Sequence, residues 1–161
     1  VQELVQGQQS GVTFGRSPVD SSMAVVEAVH GLNQGLVDGT VEPDRWMIER
    51  GSGKIVSHTP AKRLKALVPA SRGVKLISLP LQRRNKPPLT KPKVKNLFSV
   101  EKRLAKLFGS DQDVEWTYDN SRLRLLQSRP SAVTAGQDVL IKGPATARQQ
   151  QIAAVRLPHQ Y

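Results

Sequence analysis

The sequence predicts an α+β chain with a largely antiparallel sheet, on three observations. Apolar-alternating runs flank a short turn at Asp119-Asn120, and a second such pair flanks Gly51-Ser52-Gly53. Both read as β-hairpins. One longer stretch, from Thr90 or Pro92 to Phe108, carries its apolar residues at three-and-four spacing and reads as a helix.

In chain order, Val1–Val5 and Gly11–Ser17 are expected as strands separated by a Gly7–Ser10 turn. Ala24–Ala28 is a third strand, followed by a glycine-punctuated loop from Gly31 to Gly39. Arg45–Glu49 and Lys54–Ser57 form the first hairpin, and Lys62–Leu67 reads as a short basic helix. Pro80–Pro92, polar and proline-rich, reads as a loop or lid. In the long helix Val94, Leu97, Phe98, Leu104, Leu107 and Phe108 make a stripe expected to pack on the sheet, and Gly109 is placed to end it. After Ser131 the pattern decays: Val139–Ile141 reads as a strand and Thr146–Val155 is polar and glutamine-rich.

The second hairpin carries the chemistry. Residues two apart on a strand share a face. Asp113 and Glu115 therefore point one way from the first strand, and Gln127 and Arg129 one way from the second. If the two faces coincide, two carboxylates, an amide and a guanidinium meet on one patch. Oxygen ligands suit Mg²⁺, and the planar guanidinium suits phosphate. A solvated sheet face with a cross-strand ion pair fits the same spacing.

A length of 161 residues suits one domain with a real core. Without cysteine, disulfides and thiolate metal sites are excluded. No run is long and apolar enough to span a membrane, so no membrane partner is expected, and nothing resembles a signal peptide; a cytoplasmic location is the expectation. Val1 falls inside an expected strand, so the chain is expected to be a piece of a longer protein. Lys and Arg number 24 against 13 Asp and Glu, a net +11. Lys62 to Lys106 alone carries 14 basic residues and the single acid Glu101, a net +13. Such a block can bind a polyanion by charge neutralisation. Phe98 is its only aromatic, however, and nucleic-acid grooves interleave aromatics with the basic residues. A solvated basic face is favoured over a nucleic-acid partner.

Phe108-Gly109-Ser110-Asp111-Gln112-Asp113-Val114-Glu115-Trp116, with Leu126-Gln127-Ser128-Arg129-Pro130, resembles the end of the nucleotide-binding domain of the pyruvate phosphate dikinase and phosphoenolpyruvate synthase family, which reads F-G-x-P-Q-D-I-E-W and then L-Q-S-R-P. Rifampin phosphotransferase and the glucan and water dikinases share that domain. Three further motifs follow the family order. Val1-Gln2-Glu3-Leu4-Val5 is similar to V-Q-x-M-V. Ser10-Gly11-Val12-Thr13-Phe14 with Arg16 and Pro18 is similar to S-G-V-A-F-T-R-D-P. Glu27-Ala28 with Gly31-Leu32, Val37, Gly39 and Pro43-Asp44 is similar to E-A-x-x-G-L-G-E-x-V-V-x-G-x-V-x-P-D.

The resemblance implies an ATP-grasp fold, in which two α+β subdomains clamp ATP. Residues 1–130 would be the C-terminal subdomain, half of the clamp, and residues 131–161 a linker or tail toward a following domain. It implies ATP and Mg²⁺ as ligands, with Glu115 and Gln127 on the metal and Arg129 on the phosphates as the catalytic cation. Asp113 would support them from behind. Gln2, Glu3, Leu4 and Val5 match the hinge strand that meets adenine, although Leu4 also suits a core position. Glu27 matches a side chain near the nucleotide, and equally fits an edge carboxylate paired with a neighbouring Arg. The partners implied are an N-terminal ATP-grasp subdomain, which grips the triphosphate, and a phosphohistidine swivel domain of the same protein. The activity implied is that of an ATP-dependent dikinase-type phosphotransferase that phosphorylates a carrier histidine, the isolated fragment being inactive. None of His30, His58 and His159 stands in a swivel-domain context, and each reads as a surface residue.

The chain departs from the pattern in its glycine loop, where Gly-Leu-Gly-Glu is replaced by Gly31-Leu32-Asn33-Gln34. Asn tolerates the turn geometry, but the carboxylate at position 34 is lost. Asp111 replaces the customary Pro, and Ser17 replaces the acid of R-D-P. The alternative reading is a catalytically degenerate basic module that docks an acidic partner or nucleic acid through Lys62–Lys106.

Overall fold

The computed structural model describes residues 5–133. The expected strand at Val139–Ile141, the polar segment Thr146–Val155, His159 and nearly all of the first expected strand lie outside that range. In chain order the elements are β1 (Gln9–Phe14), β2 (Met23–His30), α1 (Gln34–Val37), β3 (Asp44–Glu49), β4 (Ile55–Thr59), β5 (Lys65–Pro69), β6 (Val74–Ser78), α2 (Leu81–Arg84), α3 (Lys91–Phe108), β7 (Gln112–Asp119) and β8 (Arg122–Pro130). Six strands make one antiparallel sheet in the order β4-β3-β2-β1-β7-β8, and β5-β6 is a separate hairpin. The α+β class and the largely antiparallel sheet are those expected.

Helix α3 covers one face of the large sheet. Its Val94, Leu97 and Phe98 pack on Ala24, Val26, Ala28, Trp46, Ile48 and Trp116, while Val100 and Leu104 pack on Val114. Thr90 caps the helix in an extended conformation with Pro92 in the first turn, where a missing N–H costs nothing. Gly109 ends it at φ 75°, donating its N–H to the Ala105 carbonyl at 2.9 Å. The stripe stops earlier than expected. Leu107 and Phe108 are 70% and 52% exposed, and the acid Glu101 is buried. Periodicity marks the face of a helix, not where the surface beneath it ends.

The largest buried side chain, Trp116, sets the pairing of β7 with β1. A Cβ on Gly11 would lie 2.6 Å from Trp116 Cζ2 and 1.9 Å from the Glu27 carbonyl oxygen, so the indole and the neighbouring backbone occupy the space a side chain needs. The indole Nε1 donates to Thr13 Oγ1 at 3.1 Å. Asn120 and Ser121 both take positive φ, 47° and 66°, the two-residue turn that matches strand twist and joins β7 to β8.

Two expectations are corrected. Lys62–Leu67 is not a helix: Lys65–Pro69 pairs with Val74–Ser78 across a turn in which Gly73 has φ 77°. The cations at 62, 63 and 65 mimic helix composition, but Ala66-Leu67-Val68 finds its partner across the turn. His30 is not on the surface: it is 7% exposed at the end of β2, with Nε2 3.0 Å from the Lys86 carbonyl oxygen. Burial lowers its pKa, so it is neutral at pH 7. His58 is on the surface as expected, exposed within β4, with its ring stacked on Trp46 at 4.4 Å and Nε2 2.7 Å from Asp44 Oδ2.

Asp44 ties the segment after β4 to the sheet. Its oxygens accept Arg63 Nε at 2.7 Å, Arg63 Nη2 at 2.5 Å and the Ala61 N–H at 3.2 Å. Burial alone would raise its pKa, but these bonds and His58 hold it below the ordinary value. Asp111 similarly takes Arg16 Nε at 2.8 Å and Arg50 Nη2 at 2.5 Å.

Gly11→Ala is expected to destabilise the fold by about 3 kcal/mol or more, since backbone and a buried indole must both move; urea unfolding measures the loss. Glu101 is held above the usual carboxylate range by burial, partly offset by the Gln112 N–H that its Oε1 accepts at 3.0 Å. A raised folded pKa contributes stability below the unfolded value, and that stability is lost as pH rises through the folded value. Glu101→Gln keeps the acceptor without the charge. Its unfolding free energy should therefore gain on the parent's between pH 5 and pH 8, by urea midpoints at both.

Candidate functional site

On the face opposite α3 the register places Glu115 directly across from Gln127, and Asp113 directly across from Arg129. The four side chains expected to converge do share one face. A β-bulge makes this possible. Trp116 pairs with Leu125 while the adjacent Glu115 pairs with Gln127, so Leu126 is the extra residue. Strict alternation would put Leu125 and Gln127 on the same face. The bulge keeps Leu123 and Leu125 against the core and turns Gln127 and Arg129 to the other side.

The environments of the four differ. Asp113 is 7% exposed, with Oδ1 buried and without a hydrogen-bond partner among the described residues. Burial, only partly countered by Arg129, pushes its pKa up to about 6. Arg129 Nε stands 3.8 Å from Asp113 Oδ2, and the Arg129 side chain is 51% exposed. The pair is loose, and the guanidinium keeps its donors for another anion. Glu115 and Gln127 are half-buried.

A fifth side chain comes from the glycine loop. Asn33, 8% exposed at the start of α1, donates Nδ2–H to Glu115 Oε2 at 3.1 Å. Its Oδ1 is buried and has no partner among the described residues. Leaving such an acceptor unpaired costs about 1–3 kcal/mol, a cost that a ligand donor removes. Sequence reasoning missed this contact. Its only sign was the departure from glycine at position 33.

Glu27 lies in the same cross-strand row, separated from Glu115 by Val12 of β1, or about 10 Å at ordinary strand spacing. Arg45 donates Nε to its Oε1 at 2.9 Å and Nη2 at 2.5 Å. Gln2, Glu3 and Leu4 lie outside the described residues. Val5 is half-buried and irregular, and its carbonyl accepts the Gly7 N–H at 2.9 Å. Beside it a cleft of about 670 Å³ opens between the segment before β1 and the β5-β6 hairpin, lined by Gln6, Gln8, Gly31 and Pro69, with Lys75 and Arg83 as its charged groups. That volume is typical of a small-molecule site. Gln8 lies four residues along the chain from Val12, about 13 Å from the Glu115 row.

The donors fit a hydrated Mg²⁺ that arrives with phosphates. Among the described residues no three His, Cys, Asp or Glu side chains gather around one point, so a dedicated protein cage is not what this face offers. One carboxylate and one amide oxygen, with Arg129 alongside, suit an ion that takes its remaining ligands from water and phosphate. No helix among the described residues is long and apolar enough to cross a membrane.

The family model described as the pyruvate phosphate dikinase AMP/ATP-binding domain matches residues 1–150, past the Pro130 at which the motif resemblance ends. The chain is 31% identical over 133 residues to a probable phosphoenolpyruvate synthase of Methanocaldococcus jannaschii, covering 81% of this chain and 11% of that protein. It is 34% identical over 133 residues to a rifampicin phosphotransferase of a Streptomyces species, covering 81% and 15%. It is 30% identical over 141 residues to the prodigiosin synthesizing transferase PigC of Serratia marcescens, covering 84% and 16%. The chain thus spans between a tenth and a fifth of the length of these relatives.

The bulge makes a counterintuitive prediction. Deleting one leucine of Leu125-Leu126 removes the extra residue but leaves Gln127 opposite Glu115 and a leucine opposite Trp116. The deletion is expected to cost no more than about 1 kcal/mol by urea unfolding, since only the 39%-exposed Leu126 is lost.

Proposed function

The chain belongs to the family of pyruvate phosphate dikinase AMP/ATP-binding domains, and we propose that it is the second half of an ATP clamp in a dikinase-type phosphotransferase. In this reading ATP phosphorylates a carrier histidine on another domain of the same protein. The observation that carries the proposal is the placement of Glu115 across from Gln127 and of Asp113 across from Arg129 on the face not covered by α3.

Glu115 and Gln127 would hold Mg²⁺, the amide adding an oxygen without a charge that repels phosphate. When bound, the metal neutralises charge on the phosphate oxygens. Arg129, loosely paired and half-exposed, is positioned to donate to the group being transferred. Asp113 steadies that guanidinium from behind. Gln2, Glu3, Leu4 and Val5 would meet the adenine, with the cleft beside Gln6 and Gln8 on the same side. Glu27 would stand at the edge of the nucleotide, with Arg45 as its partner. Phosphoryl transfer needs positioning and charge neutralisation more than a protein nucleophile, which suits a face with none. The proposal places the opposing subdomain, the swivel histidine and the choice of acceptor in other parts of the protein, and the protein in the cytoplasm with its ATP.

A second reading has an observation of its own. Lys91, Lys95, Lys102 and Lys106 lie along one side of α3, all exposed and none in an ion pair among the described residues. That side would serve a basic module docking an acidic partner. It does not use the open sheet face, so the two readings separate by mutation.

In the full-length protein, Glu115→Gln and Arg129→Lys are each expected to lower phosphate incorporation from ATP into the carrier histidine by about 10²-fold or more. Lys95→Ala, on the exposed side of α3, should leave the rate near that of the parent. Parental rates in both site variants would overturn the assignment. The 161-residue chain alone should bind Mg·ATP weakly by calorimetry and show no turnover, since one jaw of a clamp cannot exclude water.

A further inference from the structure

We infer that Asn33 is a positioning residue of the metal site, holding Glu115 by one oxygen so that the other faces the cation; this rests on the reading of Glu115 as a metal ligand. Asn33 Nδ2 reaches Glu115 Oε2 at 3.1 Å from a loop 82 residues away in sequence, and the amide is nearly buried. A carboxylate on a half-buried strand has two oxygens of equal basicity and a free torsion at its end. One N–H donor removes both ambiguities, fixing the plane of the carboxylate and reserving Oε1 for another partner.

The loop itself is held. The Leu32 N–H donates to the Leu67 carbonyl at 2.8 Å, and Gly31 bridges to Leu67. A Cβ at Gly35 would lie 2.9 Å from Val41 Cγ2 and 3.3 Å from Leu67 Cβ, so α1 is seated closely on β5. The amide is therefore carried by a braced turn, and the hairpin β5-β6 is part of what aims Glu115. Asn33 Oδ1, buried and unpaired among the described residues, is suited to accept from the cation's water shell. This is how a chain without the glycine and carboxylate of the usual loop can still organise the site.

The test is Mn²⁺ binding to the full-length protein, followed by electron paramagnetic resonance with and without ATP, so that the readout does not depend on turnover. Asn33→Gly removes the side chain, and Asn33→Leu keeps a similar shape without the donor. Each is expected to weaken Mn²⁺ binding about 10-fold and to broaden the signal of the bound ion, with thermal midpoints in the absence of metal near the parent's. The double variant Asn33→Gly/Glu115→Gln should bind no worse than Glu115→Gln alone. If Glu115→Gln abolishes binding while both Asn33 variants keep parental affinity, the inference fails and the site stands. If only the glycine variant weakens binding, Asn33 acts by packing and the inference also fails. If Glu115→Gln itself leaves Mn²⁺ binding unchanged, the metal-site reading falls first.

Discussion

The burial of Trp116 against Gly11 is the contact on which the rest depends. A strand pair can slip, and a slip of one residue exchanges its two faces. Here the indole needs a partner without a side chain, and Gly11 is that position on β1. The bond from Nε1 to Thr13 Oγ1 at 3.1 Å adds a second, directional contact to this register. With Trp116 committed to the core beneath α3, alternation sends Asp113, Glu115 and Thr117 to the opposite face. The candidate functional face is in this sense the reverse side of a packing decision. Ser10 bonds both the Gly31 carbonyl and Thr117, so the same strand also ties the glycine loop to that face.

Charge is distributed to the same end. The buried or nearly buried acids Asp44 and Asp111 each hold arginine, and these pairs brace loops rather than meet ligands. The oxygens of Asp111 join Arg16 and Arg50 from two earlier segments. Arg129 differs from these arginines. Its contact to Asp113 is long and its side chain half-exposed, as the proposed phosphate contact requires.

The proposed phosphoryl-transfer site is spread over elements that have no local reason to meet: a loop after β2, the middle of β7 and the edge strand β8. What brings them together is the central position of β1, paired to β2 on one side and β7 on the other. Membership in the dikinase family rests on the match over residues 1–150, and the candidate residues rest on the pairing geometry of this face. The basic face of α3 is independent of both.

The sequence by itself determined the elements whose information is local. The β7-β8 and β3-β4 hairpins follow from alternation and turn residues, and the long helix from spacing that ends at Gly109. Asp113 and Glu115 on one face, and Gln127 and Arg129 on one face, follow from strand geometry alone. Whether those two faces coincide did not follow. Leu123, Leu125, Gln127 and Arg129 are all odd-numbered, so unbroken alternation would bury the site residues or expose the leucines. Only the bulge at Leu126 reconciles them, and a bulge is chosen by the competition between two packed faces, which no single strand encodes. The same holds for Asn33 beside Glu115, for β5, whose partner lies beyond a turn, and for Leu107 and Phe108, which have helical spacing but no surface to cover them among the described residues. Local sequence sets the direction in which a side chain points, whereas only the assembled sheet decides what it meets there.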